Sequence, residues 1–320
     1  MTAAIPTIDL RGIETQDGCA RVARDLDRAY GALGFAYVVN HGVPQEAIDT
    51  IFEASARFHA LPDVAKAAIA VNRFHRGYLG FATGTDRASS IEAAVHPNFS
   101  ESFIKLHEPA PGAPDDRCDP LDGPNQWPDG LAGFKEAVLA YEAPVERLAR
   151  TLVRALAESL AGDAAALDES FARPTTWLRL LHYPARPADA PPGLYGSAPH
   201  TDFGALTILA QNAAGGLQVR DPTGAWIDVP PRSGAFVVNT GDAVPVWSGG
   251  RWRSTPHRVV NPQGRERYSV AYFFDPSFDA HIAPLDPALA PADMMGFHFG
   301  DHVMSQLDAT YHYREADART

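Results

Sequence analysis

The chain has 320 residues, 45% hydrophobic and 21% charged, the proportions of an ordinary globular protein able to bury a large core. Its formal net charge of −12 argues against a nucleic-acid or anionic-membrane surface, since both require clustered Lys and Arg. Only Cys19 and Cys118 are present, without paired spacing, and neither a basic-then-apolar leader nor a run of about 18 apolar residues occurs; a reducing cytoplasm is the expected compartment.

The 26 glycines and 27 prolines punctuate the sequence without gathering into a linker, which predicts one compact unit over residues 1–320. Ile5 to Leu10 reads as an edge strand. Val22, Leu26, Tyr30 and Leu33 recur at helical spacing up to Gly34, a helix stop, and Phe35 to Val39 reads as a buried strand. Pro44 then opens a helix with Ile48, Ile51 and Phe52 on one face. His41, His59 and His75 are read as structural. In the segment Asn98 to Lys105, Glu101, Phe103 and Lys105 share one face of a strand, either as the wall of a polar substrate pocket or as a salt-bridged strand edge. Over residues 128–162, Phe134, Val138, Val145, Leu148, Leu152, Leu156 and Leu160 predict one or two supporting helices, kinked or split at Pro144. The stretches Pro109–Pro114 and Pro184–Pro192 read as surface loops, the second either a lid or a passive connector.

After Trp177 the pattern changes to short β-type segments separated by Gly, Pro and Asn. Strands are expected at Trp177–Tyr183, Leu206–Ala210, Leu217–Arg220, Ala225–Val229, Ala235–Asn239, Val244–Trp247, His257–Val260 and Tyr268–Phe274, the rhythm of a jelly-roll barrel. The expected fold class is α+β with a mainly β core. A double-stranded β-helix (jelly-roll) barrel over 175–280 is wrapped by an N-terminal α/β segment, 1–110, and the long central helices, with a closing helix within 290–313. His298 and His302 lie i, i+4 in that helix but lack a carboxylate at motif spacing.

Chemistry concentrates in Pro199-His200-Thr201-Asp202-Phe203-Gly204. On a strand edge His200 and Asp202 point to the same face, and His257, in Ser254-Thr255-Pro256-His257-Arg258-Val259, supplies a second imidazole. Two imidazoles and a carboxylate make a facial triad, which leaves three corners of an octahedron open for co-substrate and dioxygen in non-haem Fe(II) oxygenases. A His-x-Asp pair alone fits a surface turn equally well. Arg267 and Ser269 again share a face, and a planar guanidinium fork beside a hydroxyl suits the far carboxylate of a dicarboxylic acid. Phe203 and Phe273 are candidates for apolar substrate walls, or plain core.

Taken in order, Ile5 to Leu10, Gly34 to Val43, Leu178 to Pro184, the metal pair, Gly215 to Val219, Asn239 to Asp242, Ser254 to Val259 and the Arg267/Ser269 pair resemble the iron(II)- and 2-oxoglutarate-dependent oxygenases of the isopenicillin N synthase-like family. The resemblance covers nearly the whole chain. It implies Fe(II) on His200, Asp202 and His257, with 2-oxoglutarate and O2 as co-substrates. Arg267 and Ser269 would hold the distal carboxylate of 2-oxoglutarate, Tyr183 would hydrogen-bond the same molecule, and Arg179 would sit near co-substrate or substrate. The implied reaction is hydroxylation or desaturation of a small molecule, with release of succinate and CO2, and in related enzymes the Glu101–Lys105 region contacts substrate. A monomer or homodimer with no nucleic-acid or membrane partner is expected. Many relatives have Asn-Tyr-Tyr-Pro where this chain has Leu181-His182-Tyr183-Pro184; the Asn contact is therefore missing, and His182 points away by parity. Two other readings stay open: an Fe(II) oxidase that uses the Arg-x-Ser pair on substrate without 2-oxoglutarate, and a non-catalytic metal-binding or ligand-sensing barrel.

Overall fold

Thr15 starts the first helix by accepting the Gly18 N–H on its hydroxyl, and Gly34, at φ +71°, ends the turn that follows. A side chain at Gly34 would meet the Arg253 carbonyl and the Thr255 hydroxyl, each at 2.7 Å, so glycine lets the chain pass against the segment that leads into His257. Local turn chemistry thus already bears on the site.

The computed structural model describes residues 4–83, 91, 94–108 and 119–314; Cys118 and the Pro109–Pro114 stretch lie outside them. The N-terminal part runs β1 (Thr7–Asp9), α1 (Gln16–Ala32), β2 (Phe35–Val39), α2 (Gln45–His59), α3 (Asp63–Ala67), β3 (Gly77–Leu79) and β4 (Glu101–Leu106). Then come α4 (Phe134–Ala161), β5 (Pro174–Tyr183), β6 (Ser197–His200), β7 (Leu206–Gln211), β8 (Leu217–Arg220), β9 (Trp226–Asp228) and β10 (Ala235–Thr240). The chain continues through α5 (Ala243–Trp247), β11 (His257–Val259), β12 (Arg267–Ser277), β13 (His281–Ile282), β14 (Phe297–His298) and α6 (Phe299–Thr310).

Strands β1 to β12 form a jelly-roll of two facing sheets, and β13 and β14 pair separately. The larger has the order β1-β2-β10-β7-β12-β5-β4-β3 and the smaller β6-β11-β8-β9. β12 is central, paired antiparallel with β5 on one side and β7 on the other. Phe35, Leu181, Val219, Val237, Val259 and Ala271 pack between the sheets. Helices α1, α2 and α4 cover the outer face of the larger sheet and build the main core with it. That sheet is therefore buried on both faces, and its strands carry little polar alternation.

Two local expectations are corrected. Val244–Trp247 is helical, not a strand; the run of apolar residues fits either state at this length. Residues 134–161 form one helix of 28 residues that continues through Pro144. The missing N–H of Pro144 leaves the Ala140 carbonyl unpaired in the helix, but burial of Val138, Tyr141, Val145, Leu148, Leu152, Leu156 and Leu160, at about 1.5–3 kcal/mol for each large apolar side chain, outweighs that loss. The Pro184–Pro192 segment is tied through Arg186 to the Pro262 carbonyl and adds no wall to the pocket described below, which fits a connector. Among the described residues no helix is long and apolar enough to cross a membrane.

Candidate active site

Strand pairing brings the metal-capable residues together. His200 ends β6 and lies directly opposite His257 on β11, with ring centroids 4.3 Å apart. Asp202 follows two residues beyond the strand end, its Oδ1 at 3.8 Å from His200 Nε2 and 3.6 Å from His257 Nε2. One ligand atom from each residue falls within 4.8 Å of the others.

Each ligand is oriented by a second contact. The Nδ1 atoms of His200 and His257 lie 2.7 and 3.1 Å from the carbonyls of Ala198 and Thr255. A carbonyl only accepts, so Nδ1 carries the proton and Nε2 keeps its lone pair for a metal. Oδ2 of Asp202 accepts hydrogen bonds from the Thr207 hydroxyl at 2.5 Å and the Asn239 amide at 2.6 Å, which leaves Oδ1 free to coordinate. Burial opposes ionisation of Asp202, but His257, His200 and these hydrogen bonds outweigh it and hold the carboxyl below its ordinary value. Burial, with His200 beside it, pushes His257 down to about 4, so the imidazole is neutral at physiological pH. Two imidazoles and one carboxylate on one side of an open pocket match the donor set of non-haem Fe(II).

Deeper between the sheets, Arg267 pairs with Tyr183 across β12 and β5. Its side chain is 1% exposed. Nη1 donates to the Ser269 hydroxyl at 3.0 Å and Nη2 to the Gln211 side-chain oxygen at 3.1 Å, and the guanidinium stacks 4.5 Å from the Tyr183 ring centroid. Nε has no partner, and no carboxylate pairs with Arg267 among the described residues. Burial pushes its pKa down. A buried, unpaired cation is costly, and a ligand carboxylate would relieve the cost.

The pocket beside the triad is walled by Ile104, Trp177, Phe203, Phe273 and Leu307, with Arg179 and Asp275 among its polar members. Phe203 and Phe273 thus line the cavity. Gly204 lets the loop after Asp202 approach Asp275: a side chain there would overlap the Asp275 carboxylate at 1.8 Å.

Glu101, Phe103 and Lys105 do share a face, but it is the one turned toward the helices. Glu101 accepts hydrogen bonds from Lys66 at 2.7 Å, Tyr78 at 2.6 Å and His182 at 2.8 Å. Burial works against ionisation of Glu101, yet these hydrogen bonds win and hold it at about 2. Phe103 is fully buried against Phe58 and Phe134, and Lys105 pairs with Glu142 on α4. The adjacent positions Ser102 and Ile104 face the cavity side. The three residues are therefore core and not substrate wall. His182 points away as parity predicts, stacking on Tyr268.

Of the two places open to Arg179, co-substrate or substrate, the co-substrate end is not the one it occupies. It lies four positions along β5 from Tyr183, about 13 Å at strand rise, and bonds Ser102 and Tyr311 at the pocket instead of joining Arg267. Sequence reasoning missed Thr207, Gln211, Asn239, Asp275 and the C-terminal Tyr311. Asn239 was within reach, since it lies in one of the segments that carry the family resemblance. His75 was read as structural, yet it contributes to the pocket wall. His298 and His302 do not form a pair: His298 packs edge-on against His281, and His302 lies 3.5 Å from Asp242.

Comparison with known proteins decides what the site belongs to. The model of the 2OG-Fe(II) oxygenase superfamily matches residues 174–276, and that of the N-terminal region of non-haem dioxygenases in morphine synthesis matches residues 5–130. A 2-oxoglutarate-Fe(II) type oxidoreductase, hxnY of Emericella nidulans, is 35% identical over 299 residues, covering 89% of this chain and 82% of the relative. The chain belongs to the 2OG-Fe(II) oxygenase superfamily. A homoarginine-6-hydroxylase of Arabidopsis thaliana is 34% identical, with 92% of this oxygenase and 91% of the relative covered. Among solved structures, full-length Neurospora crassa T7H in complex with alpha-KG and thymine superposes with a TM-score of 0.81 at 29% identity, covering 95% and 96% of the two chains. JOX2 in complex with 2OG, Fe and JA gives 0.78 at 28% identity, covering 94% and 84%. The protein is thus a non-haem Fe(II), 2-oxoglutarate-dependent dioxygenase of small molecules.

Proposed function

We propose that His200, Asp202 and His257 hold the Fe(II) of this oxygenase, and that Arg267 and Ser269 seat the distal carboxylate of 2-oxoglutarate, with Tyr183 lining the same end. The observation that carries the assignment is Arg267 itself: a fully buried guanidinium with a free Nε, a hydroxyl and an amide for neighbours, and no acid among the described residues. Charge-assisted hydrogen bonds to a bound carboxylate would complete it.

With Fe(II) and 2-oxoglutarate bound, the centre supplies oxidative decarboxylation to succinate and CO2, coupled to oxidation of a substrate C–H bond by O2. The chain's own residues determine where this occurs. The carbonyls of Ala198 and Thr255 fix the tautomer and tilt of the two imidazoles, while Thr207 and Asn239 anchor one Asp202 oxygen and aim the other. Leu181, Ala271 and Phe273, on the barrel side of β5 and β12, exclude water between the carboxylate seat and the triad. Phe203 and Phe273 hold the substrate's apolar body beside the triad, so that one C–H bond is presented for hydroxylation or desaturation.

Anaerobic titration with Fe(II) and then 2-oxoglutarate tests the assignment. A weak visible charge-transfer band should form in the wild type and be lost in His257→Ala. An Arg267→Met variant should bind iron but require far more 2-oxoglutarate for the band. An unchanged requirement would move Arg267 to the substrate, as in an Fe(II) oxidase.

A further inference from the structure

Arg179 repeats the problem posed by Arg267 on the other side of the pocket. Its side chain is half-buried in the cavity wall. Nε donates to the Ser102 hydroxyl at 3.0 Å and Nη1 to the Tyr311 hydroxyl at 3.2 Å, both neutral partners, and Nη2 has no bond to a described residue. Arg179 forms no ion pair among the described residues. Of the other titratable groups facing it, Asp275 accepts the Ala205 N–H at 2.8 Å, and His75 is held neutral by burial and by Arg179 itself. Among the described lining residues the pocket holds no lysine and no second arginine.

From this placement we infer that the oxidised substrate is a small carboxylic acid with an apolar body, its carboxylate held by Arg179 and Tyr311 at the end of the pocket away from Arg267. The inference rests on the oxygenase reading of the triad and adds the substrate's chemical class. Ser102 and Tyr311 fix the guanidinium plane by accepting from Nε and Nη1. Nη2 is then presented to the cavity, and the Tyr311 proton is free to point there too, so a carboxylate finds a charged donor and a neutral one side by side. A single guanidinium balances a single negative charge. A phosphate monoester, with up to two charges at neutral pH, would need cations that this wall lacks. Trp177, Phe203, Phe273 and Leu307 line the space between and suit a flat or aliphatic body.

The site is built from distant pieces of chain. Arg179 stands on β5, Ser102 diagonally across from it on the neighbouring strand β4, and Tyr311 at the end of α6. Tyr311 reaches the pocket from the C-terminal helix, and its ring packs 4.8 Å from that of His75. Docking of α6 is therefore part of the substrate seat. Arg179 acts by binding and orientation; it lies on the substrate side and has no role in holding 2-oxoglutarate.

The test is calorimetric titration of the Mn(II)- and 2-oxoglutarate-loaded protein with matched acids and primary amides: benzoate and benzamide, 3-phenylpropanoate and 3-phenylpropanamide, hexanoate and hexanamide. At least one acid should bind, at least 10-fold more tightly than its amide. Arg179→Gln should weaken that acid by 10- to 100-fold and abolish the preference over the amide, with 2-oxoglutarate binding retained; Arg179→Lys should restore part of it. Thermal unfolding checks that both variants are folded. Amides binding as tightly as acids, none of the acids binding, or an acid whose affinity ignores Arg179→Gln would each overturn the inference. Loss of 2-oxoglutarate binding in Arg267→Met leaves it intact, whereas failure of the wild type to bind 2-oxoglutarate would strike the co-substrate assignment alone.

Discussion

Replacing Arg267 with Met separates two contributions that are usually lost together. In the protein without ligand Arg267 is 1% exposed, and among the described residues its guanidinium faces the Ser269 hydroxyl, the Gln211 amide and the Tyr183 ring. Its burial costs free energy that no carboxylate repays, so an apolar side chain of similar length should leave the ligand-free protein equally or more stable. The cost appears on binding. A 2-oxoglutarate carboxylate buried at this depth without its cation loses about 2–5 kcal/mol, the usual loss when one member of a desolvated, hydrogen-bonded charge pair is removed. At about 1.4 kcal/mol per decade, the dissociation constant should rise by about 30- to 4,000-fold. Differential scanning fluorimetry with Mn(II) and increasing 2-oxoglutarate measures both effects, because a ligand that binds only the folded state raises the melting temperature by mass action. Wild type and Arg267→Met should start at similar melting temperatures, and only the wild type should climb at low 2-oxoglutarate. A variant that climbs with the wild type, or that begins several kcal/mol less stable, would refute the reasoning.

Asn239→Leu should weaken Mn(II) or Fe(II) binding by about 10- to 100-fold, the usual effect of losing a group that orients a metal ligand, because Oδ2 of Asp202 would keep only Thr207; equilibrium dialysis reads it directly. Phe103→Ala should cost about 3–5 kcal/mol in urea unfolding with no change in substrate KM, since the ring packs on Phe58 and Phe134; an altered KM with little stability loss would return Phe103 to the pocket. His59 is pushed down from 6.5 to about 4 by burial, with Glu101 acting in the opposite direction. Between those values the unfolded chain binds a proton that the folded chain refuses. Its contribution is therefore complete above pH 6.5 and falls by up to about 3 kcal/mol as the pH drops to 4. Urea midpoints from pH 7 to 4 should show a shallower decline in His59→Gln than in wild type, and parallel curves would exclude the buried imidazole as a cause.

Much of the site is legible in short-range spacing. His200 and Asp202 are two positions apart, as are Arg267 and Ser269, and a strand places alternate residues on one face whatever else the chain does. The β-type segments after Trp177 likewise come from local alternation and turn residues, and the strands at Phe35–Val39 and Leu217–Arg220 begin and end where the sequence predicts. Those properties depend on neighbours a few residues away, so the sequence states them directly.

Facing is different. β4 is buried on both sides, between the barrel and the helices, so nothing in Glu-Ser-Phe-Ile-Lys-Leu says which face meets the cavity. Polarity points to Glu101 and Lys105. The fold instead pairs them with Lys66, His182 and Glu142 from other elements and gives the cavity Ser102 and Ile104. A charge in a sequence does not show whether its partner is a ligand or another part of the chain, and partners 35 or more positions away settle that only after folding. The same holds in reverse for the two arginines. Arg267 and Arg179 look alike in sequence, each an arginine on a strand, and only the packed structure shows that both lack an acid among the described residues, one deep in the barrel and one at the pocket under Tyr311. Alternation determined which side chains could act together; the long-range packing of sheet, helices and C-terminal segment decided which of them were left unpaired and facing the cavity.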